Sequence, residues 1–445
     1  MVSQSLKTRA QQIIFLVLIL LAGNVTFNTS KANAAFVTTG LTANWQGSAL
    51  SNSLSTWTDS TNHNVFNESN TVYSSGNTGY LNFDGATSFT SMPSSATFQN
   101  TLHATTESLF MWIKPTSGMS LDSMLFSSNR TTTNIYGEQM LYLSSAGKIK
   151  FFNSTSGNTG FFTTPSSAGT VTFDTWNYVG ITITNDGTNG ILTFYINGIA
   201  SGTSTIPSAN ISSCYLANLT IGYDQRGSGA WYKGAIGQVS FWATTPLSQS
   251  DVTNNYQATY INYFPPAGFS YSNSNQNLFI GVAIATLTPT ITSGLATSFS
   301  VSPTLPTGVA LNSSTGVISG KPTSGAQSAV DYVITASNPA GSATTDFILT
   351  ILPVTVITVN FPRTAVFNQS TVVTANVDAS NSSPVTFWVN GKIVFNCNAV
   401  KPVSQIATCI WKPTVHGSTL AAATQQSSGV TTGVSGNVPV MVFKR

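Results

Sequence analysis

DTWNYVGITITNDGTNGILTFYINGIA, residues Asp174–Ala200, alternates along its second half. Leu192, Phe194 and Ile196 take one set of positions and Thr193, Tyr195 and Asn197 the other. A period of two sends successive side chains to opposite faces of a strand. Asn197-Gly198 then supplies a tight turn of the kind that closes antiparallel hairpins. The stretch predicts a hairpin with one apolar face, suited to the interior between two packed sheets. The same idiom fills the chain. LFMWIKP, KIKFF and AIGQVSFW are short β-branched and aromatic runs between Gly, Asn, Ser and Asp, the pattern of all-β sandwiches and barrels. A helix is suggested by LSQSDVTNNYQATYINY, where Ser248 and Asp251 are spaced to open one.

The chain has 445 residues, too many for one core. The first segment is read as residues 36–263 and closes at FPPAG, where Pro265 and Pro266 impose an extended or turn conformation. A second segment covers 269–352 and a third 353–445, each the length of one small sandwich.

Six elements of the first segment carry a resemblance. LNFDGATSF (Leu81–Phe89), SLFMWIKPTS (Ser108–Ser117), MLYLSSAGKIKFF (Met140–Phe152), the Asp174–Ala200 stretch, LTIGYD (Leu219–Asp224) and YKGAIGQVSFWATTPLSQSDV (Tyr232–Val252) follow one another in order. Together they resemble the laminin G-like, concanavalin A-like jelly roll. In the second segment LPTGVALNSSTGVISGKPT (Leu305–Thr323), with YVITASN and FILTIL, resembles the cadherin-like Ig sandwich of extracellular multidomain proteins. Leu305, Val309, Leu311, Val317 and Ile318 there alternate with turn residues and are expected to touch a core. The third segment, with the Asn390-Gly391 turn inside SPVTFWVNGKIVF, resembles bacterial Ig-like repeats. The resemblances imply an all-β protein, an N-terminal jelly-roll sandwich followed by two Ig-like β-sandwiches that act as spacers. Trp112, Trp176, Trp242, Trp388 and Trp411 are expected to pack rather than to bind. Some cadherin-like domains hold calcium with an Asp before the last turn. Asn338 stands there in this chain, with Asp331 and Asp346 the remaining acids.

Residues 1–34 place Lys7 and Arg9 before an apolar run from Ile13 to Ala22, with small residues at Ala32 and Ala34. This is the form of a secretory signal peptide, cleaved after Ala34. Export to the medium or an extracellular, bacterial surface follows. No apolar stretch after residue 36 is long enough for an integral membrane helix. Cleavage removes three of sixteen basic residues and leaves thirteen against thirteen acidic ones. The remaining Lys and Arg are scattered, which argues against a nucleic-acid partner. Of three cysteines, Cys397 and Cys409 lie twelve apart across a turn-rich stretch and suit a disulfide, leaving Cys214 as a buried apolar residue.

Catalysis is not expected. Glycosidases flank the scissile bond with two carboxylates, whereas Asp59, Glu68, Asp84, Glu107, Asp122, Glu138, Asp174, Asp186 and Asp224 stand singly. His63, His103 and His416 are too few and too far apart for a zinc cluster or a triad. Binding is the better reading, because aromatics and amides suit the apolar face and hydroxyls of a sugar. The loop YDQRGSGAWY supplies Tyr223, Asp224, Arg226, Trp231 and Tyr232 as candidate ligand contacts. Calcium is the ion that the jelly-roll resemblance allows, at Asp122, Glu138 and Asp224 by loop placement. The partner expected is a carbohydrate or a surface protein. The rival is a non-catalytic structural surface or appendage component that self-associates.

Overall fold

The computed structural model describes residues 34–47, 56–61, 65–74, 79–92, 106–119, 122–129, 139–153, 165–207, 218–224, 229–323, 325–353, 355–377, 383–427 and 430–444. The chain divides into two compact units. One runs to Ala267 and includes Thr292–Ala296 and Ser337–Ser342; the other comprises Gly268–Ile291, Thr297–Ala336 and Ala343–Arg445.

In the first unit the strands are β1 (Leu41–Trp45), β2 (Thr56–Thr58), β3 (Val65–Ser69), β4 (Val72–Ser74), β5 (Tyr80–Asp84), β6 (Phe89–Met92), β7 (Glu107–Pro115), β8 (Ser123–Asn129), β9 (Gln139–Leu143), β10 (Ile149–Asn153), β11 (Asn177–Asn185), β12 (Asn189–Ile196), β13 (Ile199–Pro207), β14 (Asn218–Ile221) and β15 (Lys233–Trp242). They form two antiparallel sheets. One has the order β13-β12-β11-β7-β15-β5-β4, with β1 also on β15; the other is β10-β9-β8-β14-β6-β3-β2. The core between them includes Trp45, Phe66, Leu141, Leu192, Phe194 and Ile221. Asn197 and Gly198 are both left-handed, with φ of 51° and 80°, and close the hairpin β12–β13.

Simple alternation does not hold on the central strands. In β7 and β11 seven consecutive residues are buried on both faces. The reason is α1 (Gln249–Tyr260), which covers the face of the first sheet turned away from the core. Ser248 caps it, accepting from the Asp251 backbone N–H, and the Asp251 carboxylate accepts from the Ser248 N–H. This reciprocal pairing satisfies two otherwise orphaned donors. Trp112 stacks on Tyr263 with ring centroids 4.5 Å apart, and its indole N–H donates to Thr259 Oγ1 at 2.8 Å. Trp242 is buried on the same face, while Trp176 is half-buried against Tyr263 and Tyr80. Tyr195, on the face of β12 opposite Leu192 and Phe194, is buried there too, against Phe110.

Glu107 opens β7 and is 1% exposed, its Oε2 lacking a hydrogen-bond partner. Burial pushes its carboxyl well above the ordinary range, and the neighbouring Gln139 side chain pulls the other way. A raised folded-state value means that the folded protein keeps a proton the unfolded chain releases. Stability is therefore full below pH about 4.5, the unfolded value, and falls as pH rises towards the folded one. Melting temperatures across that range are expected to decline with pH. Glu107→Gln, which cannot ionise, is expected to flatten the slope; an equal slope in the variant would place its origin elsewhere.

In the second unit, Val309–Leu311 pairs antiparallel with Ile318–Gly320. Leu305, Val309 and Ile318 are buried, and Leu311 and Val317 half-buried, as their spacing predicts. Gly316 is left-handed at φ 70°, and a Cβ there would come within 2.6 Å of the Phe299 ring, so no other residue fits. Strands Ser298–Ser302, Gln327–Asn338, Gly341–Leu352 and Asn275–Phe279 make the four-stranded sheet. The side chain of Asn338, in the first unit, is consumed by structure. Its amide donates to the carbonyls of Phe264 and Leu295, at 2.7 and 2.8 Å, and its oxygen accepts from the N–H groups of Ala340 and Gly341.

The terminal segment builds its own core from two sheets, around Phe361, Val373, Phe387, Ala407, Trp411 and Ala423. Cys397 and Cys409 are joined in a disulfide with Cα atoms 5.7 Å apart. Cys214 lies outside the described residues.

Candidate functional site

The second sheet of the jelly roll turns one face to the core, and on its other face the central positions Ser127, Met140 and Thr220 are fully buried while the flanking ones are partly exposed. Alternation and register put Phe89 and Ser91 of β6, Thr220 of β14, Ser127 of β8, Met140 and Tyr142 of β9, and Lys150 and Phe152 of β10 on that outer face. Phe89, Ser91, Tyr142, Lys150 and Phe152 are half-buried.

One end of this face is built by the loop between β14 and β15. The chain leaves at Gly222 and returns at Tyr232, whose N–H donates to the Gly222 carbonyl at 2.9 Å. Gly222 has φ 85°, and a Cβ there would meet the Phe83 ring at 2.5 Å, so glycine is required at this closure. Tyr223 and Trp231, brought together by the closure, stack with centroids 3.9 Å apart and planes 23° from parallel. Phe89 flanks both, 5.5 Å from Tyr223 and 6.2 Å from Trp231. All three rings are half-buried, fixed by one another yet reachable. Asp84, in the turn before β6, accepts from the N–H groups of Ala86, Thr87 and Ser88 and from the Thr87 hydroxyl. These bonds hold its carboxyl below the ordinary range, as a turn brace.

The five residues expected from the loop separate into different roles. Tyr223 and Trp231 come together as a pair. Tyr232 is instead a core residue, its ring edge-on to Phe83 and its hydroxyl donating to the Ala235 carbonyl at 3.2 Å. Asp224 is buried, and Arg226 lies outside the described residues. The alternation of β6 marks Phe89 as outward, but nothing in the sequence announces its pairing with a loop more than a hundred residues away.

The carboxylates considered for calcium do not assemble among the described residues. Asp122 Oδ2 is held by the Lys150 ammonium at 2.7 Å, which a cation would have to displace. Asp224 is buried and Glu138 lies outside the described residues. Among the described residues no three His, Cys, Asp or Glu side chains gather as a metal-binding group, and no helix is long and apolar enough to cross a membrane.

Residues 84–253 match the family model of the Concanavalin A-like lectin/glucanases superfamily, and residues 243–352 match that of the Putative Ig domain. The chain therefore carries a concanavalin A-like jelly roll followed by an Ig-like domain. No curated protein matches it. Among solved structures it is similar to Trypanosoma rangeli sialidase in complex with the inhibitor DANA, at 14% identity and a TM-score of 0.38, over 56% of this chain and 38% of that one. It is also similar to the Ruminococcus gnavus IT-sialidase CBM40 bound to alpha2,3 sialyllactose, at 17% identity and a TM-score of 0.31, over 41% of this chain and 94% of that one. The chain thus spans well under half the length of the sialidase.

Proposed function

We propose that this chain is an exported, non-catalytic binding protein of a bacterial surface. Its jelly roll takes carbohydrate on the outer face of the second sheet, at the end marked by Phe89, Tyr223 and Trp231, and the Ig-like sandwiches serve as spacers. The observation that carries this reading is the stacked Tyr223–Trp231 pair, set in a fold that matches a lectin and glucanase family model. Rings already locked against each other lose little freedom on binding, and a rigid aromatic surface complements the C–H face of a sugar. The hydroxyl of Ser91 lies on the same face to meet a sugar's hydroxyls.

A glycan-array screen of the full chain, run with calcium and again with chelator, tests the proposal. Specific binding is expected in at least one lane pair, and retention under chelator would remove calcium from the site. A blank array in both lanes would contradict the reading.

A second reading, self-association, is favoured by a different observation. Val372 and Ile410 face each other across neighbouring strands of the terminal segment at 60% and 63% exposure, and Phe395 is 85% exposed. Apolar side chains in this density mark contact surfaces. Sedimentation velocity over a concentration series decides it. A growing dimer fraction, abolished by Ile410→Lys, would support assembly; a constant monomer would exclude it.

A further inference from the structure

The terminal segment holds a second feature, on the sheet that contains Val385–Val389 and Gly417–Ser427. Trp388 lies directly across from Ala422. An alanine opposite a tryptophan leaves the space that a larger side chain would fill, and here it floors a trough of about 380 Å³. Trp388, Asn390, Leu420, Ala422, Thr424 and Asn437 line it.

Two of the lining side chains, Trp388 and Asn390, are held in place by hydrogen bonds within the sheet. The Trp388 indole N–H donates to Thr424 Oγ1 at 2.9 Å, which sets the ring's orientation and leaves only its apolar surface to offer. Asn390 and Gly391 form a left-handed turn, with φ of 51° and 74°. Asn390 donates its backbone N–H to the Leu420 carbonyl, and its side-chain oxygen accepts from the Leu420 N–H, both at 2.8 Å. The carboxamide is thereby oriented, with its NH2 group left to donate elsewhere. Asn437 is exposed on the other rim.

The lining selects the ligand class. It holds no charged side chain, so an ionic ligand would find no counter-charge to replace its lost hydration. An aromatic surface, a leucine and an alanine offer contact to C–H groups, and the two carboxamides and a threonine offer hydrogen bonds to hydroxyls. The volume lies at the small end of ligand sites, which run from about 300 to 1,000 Å³. We infer that this trough is a second carbohydrate-binding site, taking one neutral mono- or disaccharide unit, independent of the site on the jelly roll. Two weak sites on one chain would raise retention on a repeating polysaccharide through effective concentration.

The test is 19F NMR of the full chain labelled with 5-fluorotryptophan, whose eight tryptophans give separate reporters. Trp388→Phe assigns the trough signal and Trp231→Phe the jelly-roll signal. Glucose, galactose, N-acetylglucosamine, maltose and lactose are titrated in turn. A saturable shift of the Trp388 signal with at least one of them is expected. Asn437→Ala, an exposed change that leaves the indole in place, is expected to weaken that response about threefold to tenfold, the worth of a lost hydrogen bond. A Trp388 signal indifferent to all five sugars would overturn the inference, as would one that moves only with protein concentration, which would assign the trough to a second copy. The Trp231 signal reports separately in the same spectra, so failure of one site is not read as failure of the other.

Discussion

Trp112→Ala is expected to destabilise the jelly roll by about 3–5 kcal/mol, the range for emptying a buried tryptophan site. The side chain is fully buried, and it contacts the helix as well as the sheet. Its ring lies 4.5 Å from that of Tyr263, 5.7 Å from Tyr256 and 5.3 Å from Tyr178, so the alanine leaves four aromatic surfaces, including Phe264 at 6.0 Å, facing a void. Thr259 Oγ1 loses its indole donor at the same time, though it still donates to the Asn255 carbonyl at 2.7 Å. Trp112→Phe separates the two contributions. It retains most of the ring contact and removes the donor, and is expected to cost roughly 1–2 kcal/mol. Urea unfolding followed by far-ultraviolet circular dichroism measures both. Equal midpoints for wild type and Trp112→Ala would mean that α1 does not depend on this tryptophan.

Loss of the Cys397–Cys409 disulfide is expected to cost the terminal sandwich roughly 3 kcal/mol in the chain-entropy model, given a loop of this size. The sequence separation is 12 residues, and both cysteines are buried in that sandwich's core. The double change to alanine is the cleaner probe, because it leaves no buried thiol pair behind. Its unfolding midpoint in urea, set against the oxidised wild type and the reductant-treated wild type, should match the latter. A stability unchanged by reductant, with free thiols confirmed, would show that the bond constrains nothing the folded segment does not already enforce.

Local chemistry is what the sequence makes legible. Ser248 and Asp251 announce α1 because capping depends on residues three apart, and the Asn-Gly pairs at 197–198 and 390–391 announce their turns because few other dipeptides accept two left-handed conformations. The Leu305–Thr323 stretch is readable for the same reason. What α1 does is less legible. The burial of Trp112, Trp242 and Tyr195 on its side of the sheet comes from a helix that follows β15 and folds back over β7, β11 and β12; the unbroken apolar run Leu109–Ile113 of β7 is consistent with two covered faces, but the alternation of β12 gives no sign of the second.

The candidate site divides along the same line. Tyr223 and Trp231 are close in sequence, and their pairing follows once Gly222 and Tyr232 close the loop. Phe89 joins them only through the pairing of β6 with β14, a long-range fact. Tyr232 looks equivalent to Trp231 on paper, but adjacent residues entering a strand point to opposite sides, and Tyr232 points inward. Trp388 reads as a packing residue until its cross-strand partner is known to be Ala422, which opens the trough beside it.

Carbohydrate binding as proposed depends on the Tyr223–Trp231 surface. Isothermal titration of the full wild-type chain and of Trp231→Ala, with the strongest glycan from the array, tests it most directly. At least about a tenfold loss of affinity, worth about 1.4 kcal/mol, is expected in a variant whose circular dichroism and melting temperature match the wild type. Equal affinity in the two folded proteins would contradict it and move the binding surface elsewhere on the chain.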